Sequence, residues 1–531
     1  MDADVVIIGA GIAGGLMAYR LASAGMKVLM LEAGPDVTRA ELHTRFLERR
    51  SYTPVALDPL SDYAPTTHPD DPDAYLINAG PVRYNAYMTK AVGGTTWHWA
   101  GRCARFADED FRLRSTFGVG EDWPIAYADI EPYYVEAERE LGVSAPSSGP
   151  SHARRSHPTP MQDFAWPYLH IRLREKLAPH GMIVETDAYA RNSREYDGRP
   201  ACRGNNMCWP LCPIGAQYNG IVHVDKARGV GVEVRSQSLV TRLETKDGQS
   251  ITKAYYRRPD GTHGEVMASM FVIAANGMET PKILLASANE SLPAGVGNSS
   301  GQVGRNFMDQ ATFVTQLVSE EKLFPGRGPI SFVQLRKADD RSYRKHRAIT
   351  NLSIENKMSL DQVAGETLRE GLAGDALDKE VRFRAMRRFN LLSAAEMLPD
   401  PDSRIVLDWH RRDSAWQPRM QVTFSIPEYT SRGLDFAEAM HNDVMAKIGT
   451  LQHESFKGTY FGHHPAGATR MGNDARRSVI DPVCRSHDHP NLFIASSSVF
   501  PTLGGADEPT LTIAALALRT AEAILTARNS R

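Results

Sequence analysis

Val5-Val-Ile-Ile8-Gly9-Ala-Gly11-Ile-Ala-Gly14 is the stretch on which the fold turns. Its first four residues are a continuous apolar run, the pattern of a parallel strand buried on both faces. Three glycines follow, each with a physical reason for its place. Gly9 permits a tight turn, Gly11 lets backbone approach a pyrophosphate, and Gly14 lets helix and strand pack closely. Residues 16–24 read as a helix, and a second strand over 27–31 ends at Glu32, before Ala33-Gly34-Pro35. The helix start faces the phosphates, and Glu32 can accept from ribose hydroxyls. Strand, turn, helix, strand and acid together read as a dinucleotide-binding βαβ unit. Spacing alone does not separate FAD from NAD.

The 531 residues allow two to four domains and a large core. A net charge of −2, from 61 basic and 63 acidic residues, gives no electrostatic footprint for nucleic acid. Residues 511–525 are apolar but interrupted by Arg519 and Glu522, so they read as a buried helix and not a membrane span. Residues 1–4 lead directly into the first strand without a basic or apolar leader, so the sequence taken alone points to the cytoplasm.

Cys202-Arg-Gly-Asn-Asn-Met-Cys208-Trp-Pro-Leu-Cys212 holds three of the chain's five cysteines. Clustered thiolates suit an iron–sulfur cluster, because several soft ligands converge on one inorganic core. The spacing matches zinc sites poorly, and a four-iron cluster normally takes four cysteines. Cys103 and Cys484 lie in other segments. Three thiols agree with a three-iron cluster. Buried structural cysteines, or a disulfide plus a free thiol, are the alternatives. A second redox centre has no role in an enzyme passing electrons only to oxygen or a soluble nicotinamide.

A second glycine loop, Val92-Gly93-Gly94-Thr95-Thr96-Trp97-His98-Trp99, would let backbone approach a flat ligand walled by aromatic rings. From this loop onward the chain resembles the glucose–methanol–choline (GMC) oxidoreductases. The resemblance continues through 271–285, 303–309 and 491–501, and Leu31-Glu32-Ala33-Gly34 is similar to the adenosine-binding end of FAD enzymes. It implies FAD as cofactor, with Gly9, Gly11, Gly14, Glu32, Gly93, Gly94, Thr95, His98, Val240, Ala275, Asn276, Pro509 and Thr510 in its site. In some relatives the histidine equivalent to His98 is bonded covalently to the flavin. The sequence leaves open that bond or a packed histidine beside a noncovalent flavin.

His463-His464-Pro465-Ala-Gly467-Ala-Thr-Arg-Met471-Gly472 resembles the family's active-site histidine motif, which assigns His464 as the base for a substrate hydroxyl. The family's second catalytic position is normally Asn or His. Here Asp507 or Glu508 occupies it, before Pro509 at the start of the last helix. A carboxylate there could contact substrate or tune His464, or it could simply cap the helix.

Residues 191–216, around the cysteines, are similar to the catalytic subunit of bacterial FAD-dependent sugar dehydrogenases of the glucose, fructose and sorbitol type. That resemblance implies a [3Fe-4S] cluster on Cys202, Cys208 and Cys212. It also implies a small chaperone-like subunit, a multihaem cytochrome c as electron acceptor, and a periplasmic location reached by association with the exported small subunit. The implied fold is α/β: a Rossmann-like FAD-binding domain over 1–45, 89–145, 215–310 and 470–531, with an α+β substrate domain on an antiparallel sheet over 311–469. Residues 46–88 would form a covering loop and 190–218 the iron–sulfur segment. Residues 311–318 and 420–425 read as strands of the substrate sheet, and 365–388 as a charged helix between them.

The leading expectation is a dehydrogenase oxidising a sugar or polyol hydroxyl. An oxygen-using GMC oxidase, a glycoside or gluconate dehydrogenase, and a non-catalytic electron-transfer flavoprotein subunit are the competing readings.

Overall fold

The computed structural model describes residues 1–48, 73, 75–146, 154–336, 341–460, 462–505 and 508–529. Ala3–Ile8 forms the centre of a seven-stranded sheet. Parallel neighbours are Val28–Leu31 and then Glu233–Arg235 on one side, and the C-terminal half of His263–Ile273 and then Leu492–Ile494 on the other. The N-terminal half of His263–Ile273 leaves this arrangement to pair antiparallel with Ser250–Arg257, which in turn pairs with Leu239–Lys246. Segments from both ends of the chain therefore share one sheet. Val5, Val6 and Ile7 have no exposed surface, as their unbroken apolar pattern requires.

The first helix is Ile12–Ser23, starting four residues earlier than the apolar periodicity indicated. It begins directly at Gly11, so its free N–H groups open onto the glycine turn. A Cβ on Gly14 would lie 2.0 Å from the Gly9 carbonyl oxygen, so only glycine fits there. The last helix, Thr510–Asn529, has the length and composition of a membrane span but packs with buried Leu511, Ala514, Ala517, Ala521 and Ile524 in the core.

A second, six-stranded antiparallel sheet roofs the first domain. Its order is Thr450–Tyr460, Ala311–Ser319, Arg388–Ala395, Thr350–Asn356, Ser331–Arg336, Ile183–Thr186. The helix Glu428–Ile448 packs on it through Leu434, Ala437, Val444 and Ile448.

Three expectations need correction. Residues 420–425 do not join the roof: Pro418–Thr423 pairs with Arg404–Arg412 and, in parallel, with Leu76–Asn78 in a separate three-stranded sheet. The roof's edge strand Ile183–Thr186 lies outside the 311–469 segment, because strand pairing is set by tertiary context and not by chain proximity. The 365–388 helix is two helices, Leu360–Arg369 and Gly374–Ala385, parted where Gly371 adopts φ +87°, and Arg388 already begins a strand. Within the expected covering loop, residues 49–72 and 74 lie outside the described residues.

Candidate active site

A cavity of about 520 Å³ runs between the parallel sheet and the roof. Its lower end is lined by Gly9, Gly11, Glu32, Gly94, Thr95, His98, Val240, Ala275 and Asn276, and its upper end by His464, Glu508, Pro509 and Thr510. Gly14 and Gly93 stand behind this wall. Gly93, at φ +100°, donates its N–H to the Ala10 carbonyl at 2.8 Å and ties the two glycine loops together. Asp507 lies outside the described residues.

The lower end suits a dinucleotide. A Cβ added to Gly11 would meet only Gly94 Cα, at 3.9 Å, and would otherwise occupy the cavity where a phosphate approaches the helix N-terminus. Glu32 accepts from the N–H groups of Ala10 at 2.8 Å and Gly34 at 2.9 Å, which fixes its carboxylate and leaves lone pairs for ribose hydroxyls. Burial pushes this carboxyl up to about 7. Two more helix starts, at Asn276 and Thr510, also open onto the cavity. The positive end of the last helix favours negative charge on a bound ring.

The backbone N–H of His464 donates to both oxygens of Asp309, at 3.2 and 3.1 Å, and its Nδ1 lies 2.9 Å from Gln310 Oε1. An amide oxygen only accepts, so Nδ1 carries the proton and Nε2 keeps its lone pair. The turn is clamped on both sides. Met308 and Ala466 exchange backbone hydrogen bonds, Ser497 Oγ donates to the Pro465 carbonyl at 2.6 Å, and a Cβ at Gly467 would lie 2.2 Å from Asn306 O. Burial, with His463 and Arg102 nearby, holds the His464 imidazole down near 3, so it is neutral across the physiological range. His463 sits edge-on to Tyr87 and Trp209.

Glu508 pairs with Arg102, which also donates through Nε to Asp187 at 2.6 Å and stacks over Phe332 at 4.8 Å. Gln334 donates to the same Asp187. The acid before the last helix is therefore part of a buried ion network reaching into the roof. Arg102, Asp187, Asp309 and the anchoring role of Gln310 were not found from sequence, because nothing local marks partners that arrive from three different segments.

The roof turns a polar face to the cavity. In register across three strands lie Thr312, Ala394 and Asn351, then Val314, Leu392 and Ser353, then Gln316, Asn390 and Glu355. Asn390 Nδ2 donates to Glu355 at 2.9 Å. The period-2 alternation Asn351-Leu-Ser353-Ile-Glu355 carried this signal in the sequence.

The cysteine segment is wedged between the domains. His98 Nδ1 donates to the Pro210 carbonyl at 2.9 Å, Gln217 donates to the carbonyls of Trp99 and Cys208, and Asn206 donates to the carbonyls of Gly328 and Asn356. Cys208 and Cys212 are buried and Cys202 is half-buried. Burial pushes the Cys208 thiol up, Arg191 opposes this, and the thiol senses both Cys202 and Cys212. Among the described residues no three His, Cys, Asp or Glu side chains converge on one metal-ion position, and no disulfide forms. The three thiols are soft donors and a poor match for a single hard ion.

Residues 378–517 match the family model described as GMC oxidoreductase, and residues 4–43 that described as FAD dependent oxidoreductase. The chain is 38% identical to the fructose dehydrogenase large subunit of Gluconobacter japonicus, over 99% of this chain and 98% of that protein. It is 28% identical to 2-methyl-1,2-propanediol dehydrogenase of Mycolicibacterium austroafricanum, over 98% of this chain and 95% of that protein. Formate oxidase superposes with a TM-score of 0.68 at 14% identity, covering 99% of both chains, and shares the fold alone.

Proposed function

Because the chain belongs to the GMC oxidoreductase family, as an FAD-dependent enzyme acting on CH–OH donors, we propose that it is the catalytic subunit of a dehydrogenase oxidising a sugar or polyol hydroxyl. The observation that carries this is the tautomer of His464: with Nδ1–H held by Gln310, the unprotonated Nε2 is available to a hydroxyl in the cavity.

When bound, FAD supplies the two-electron acceptor for hydride. The chain supplies the rest. The polar roof orients a polyhydroxylated substrate over the lower cavity. An imidazole held near 3 does not ionise an alcohol in advance. Nε2 takes the hydroxyl proton as the C–H hydride departs and the oxygen becomes acidic, leaving a carbonyl product. The Glu508–Arg102–Asp187 network holds the start of the last helix against the roof.

Cys202, Cys208 and Cys212 would hold a three-iron, four-sulfide cluster, which would supply one-electron chemistry toward an external acceptor. The likeness to a large subunit supports assembly with other subunits. The partners in this proposal are a small subunit and a multihaem cytochrome c, at the periplasmic face of the membrane. Iron and sulfide analysis with electron paramagnetic resonance of the oxidised protein tests the cluster, through a signal near g of about 2. Iron-free, fully active protein would refute it. Anaerobic dye reduction by hexoses and hexitols, without peroxide formation in air, is expected of the dehydrogenase. Stoichiometric peroxide would point to an oxidase.

A further inference from the structure

Trp209 lies between two of the three clustered cysteines, yet its side chain lines the same cavity as His464. The Lys357 ammonium sits 3.9 Å from the centre of its ring, and His463 approaches the ring edge-on at 6.5 Å. Lys357 follows the roof strand Thr350–Asn356, so the stack closes the cavity from both domains. Among the described residues Lys357 makes no ion pair, and it too lines the cavity. The roof row Gln316, Asn390 and Glu355 leads toward it.

We propose that Trp209 and Lys357 form a sugar subsite at the end of the cavity away from the reacting hydroxyl, recognising an uncharged sugar or polyol. The indole packs against the C–H face of the ligand, the ammonium donates to a distal hydroxyl, and the Glu355–Asn390 pair accepts from and donates to its neighbours. The chemistry suits that ligand class. Aromatic rings bury the weakly polar C–H faces of sugars, and a fixed donor beside a fixed acceptor distinguishes hydroxyl orientations. The cysteine segment thereby contributes directly to substrate selection. This rests on the sugar-oxidation reading above.

Separation of the two readings requires a binding measurement as well as turnover. In the FAD-loaded His464→Gln protein, D-fructose and D-glucitol are titrated calorimetrically, with D-gluconate as anionic comparator. Trp209→Ala and, independently on the roof side, Lys357→Met are expected to weaken sugar binding about tenfold, which is about 1.4 kcal/mol. In the wild-type background they should raise KM similarly while kcat stays within about threefold, and Lys357→Met should weaken gluconate binding as well. Lys357→Met changes no residue of the cysteine loop, so misfolding of the Trp209 variant does not obscure the result. Sugar binding unchanged in both variants, with wild type still reduced by sugar, overturns the subsite alone. Failure of a full hexose and hexitol panel to bind the parent or reduce wild type overturns the sugar reading, and the subsite with it.

Discussion

The imidazole of His98 and the carbonyl of Pro210, 112 residues apart, meet in a 2.9 Å hydrogen bond. The bond joins the second glycine loop, which lines the dinucleotide end of the cavity, to the loop between Cys208 and Cys212. Because the carbonyl accepts, Nδ1 of His98 is protonated and the ring orientation is fixed from the cysteine side. His98→Phe keeps the bulk and loses the bond. The expected outcome is a stability loss of about 1 kcal/mol and a lower FAD-to-protein ratio after purification, read from flavin absorbance. An unchanged ratio would mean that the link does not support the cofactor site.

Gln310 fixes the tautomer of His464, the proposed base. Gln310→Leu should lower kcat about a hundredfold with FAD retained and KM little changed. The sign of the pH effect follows from the low imidazole value. A base is lost as pH falls through its pKa, so with His464 near 3 the kcat/KM profile should show no histidine inflection between pH 5 and 8. Gln310→Glu places a carboxylate against Nδ1, favours the charged ring, and should bring an inflection up into that window. A wild-type inflection near 6.5 would place the titrating base elsewhere.

Much of the lower site was legible because its causes are local. The glycine spacing at 9, 11 and 14 and the apolar run 5–8 are patterns contained within a few residues, although the strand's burial is completed by 270–273. The placement of His464 followed from motif resemblance. What was not legible is long-range pairing. Residues 420–425 alternate as any half-buried strand does, and nothing in them says that their partner is Leu76–Asn78. Arg102 gave no sign that it meets Glu508, 406 residues away.

Gly14→Ala would place a methyl group 2.0 Å from the Gly9 oxygen and push the first helix off the sheet. The variant is expected to purify without flavin colour. Full FAD occupancy would contradict the fit of this turn to the cofactor.

Glu508→Ala leaves Arg102 buried beside Asp187 without its second carboxylate. Removal of one partner of a largely buried pair costs about 3 kcal/mol, so a marked drop in thermal midpoint is expected, with Glu508→Gln intermediate. Wild-type stability in both variants would show that the network is dispensable.

Acid should destabilise the fold. Burial holds His170, His441 and His464 near 3 and His463 near 4, well below their value of 6.5 in an unfolded chain. The unfolded state therefore binds more protons, and this contribution is present above pH 6.5 and lost as pH falls toward 3 to 4. Glu32 and Glu396, raised to about 7, oppose it between pH 4.5 and 7, with burial also raising Glu136, Asp163 and Glu185. The lowered His223, Glu140, Glu279 and Glu366 act in the same direction as the four rings. Thermal midpoints should fall steadily from pH 6.5 to 4.5, at about 1.4 kcal/mol per pH unit for each uncompensated proton. A midpoint that rises over that range would contradict the burial of these rings.

Anaerobic mixing of the FAD-loaded protein with a hexose or hexitol, followed at the flavin absorption band, tests His464 as the base most directly. Wild type should bleach on mixing, while His464→Ala, with its FAD still bound, should keep its colour over the same interval. Bleaching of the variant at close to the wild-type rate would contradict the assignment.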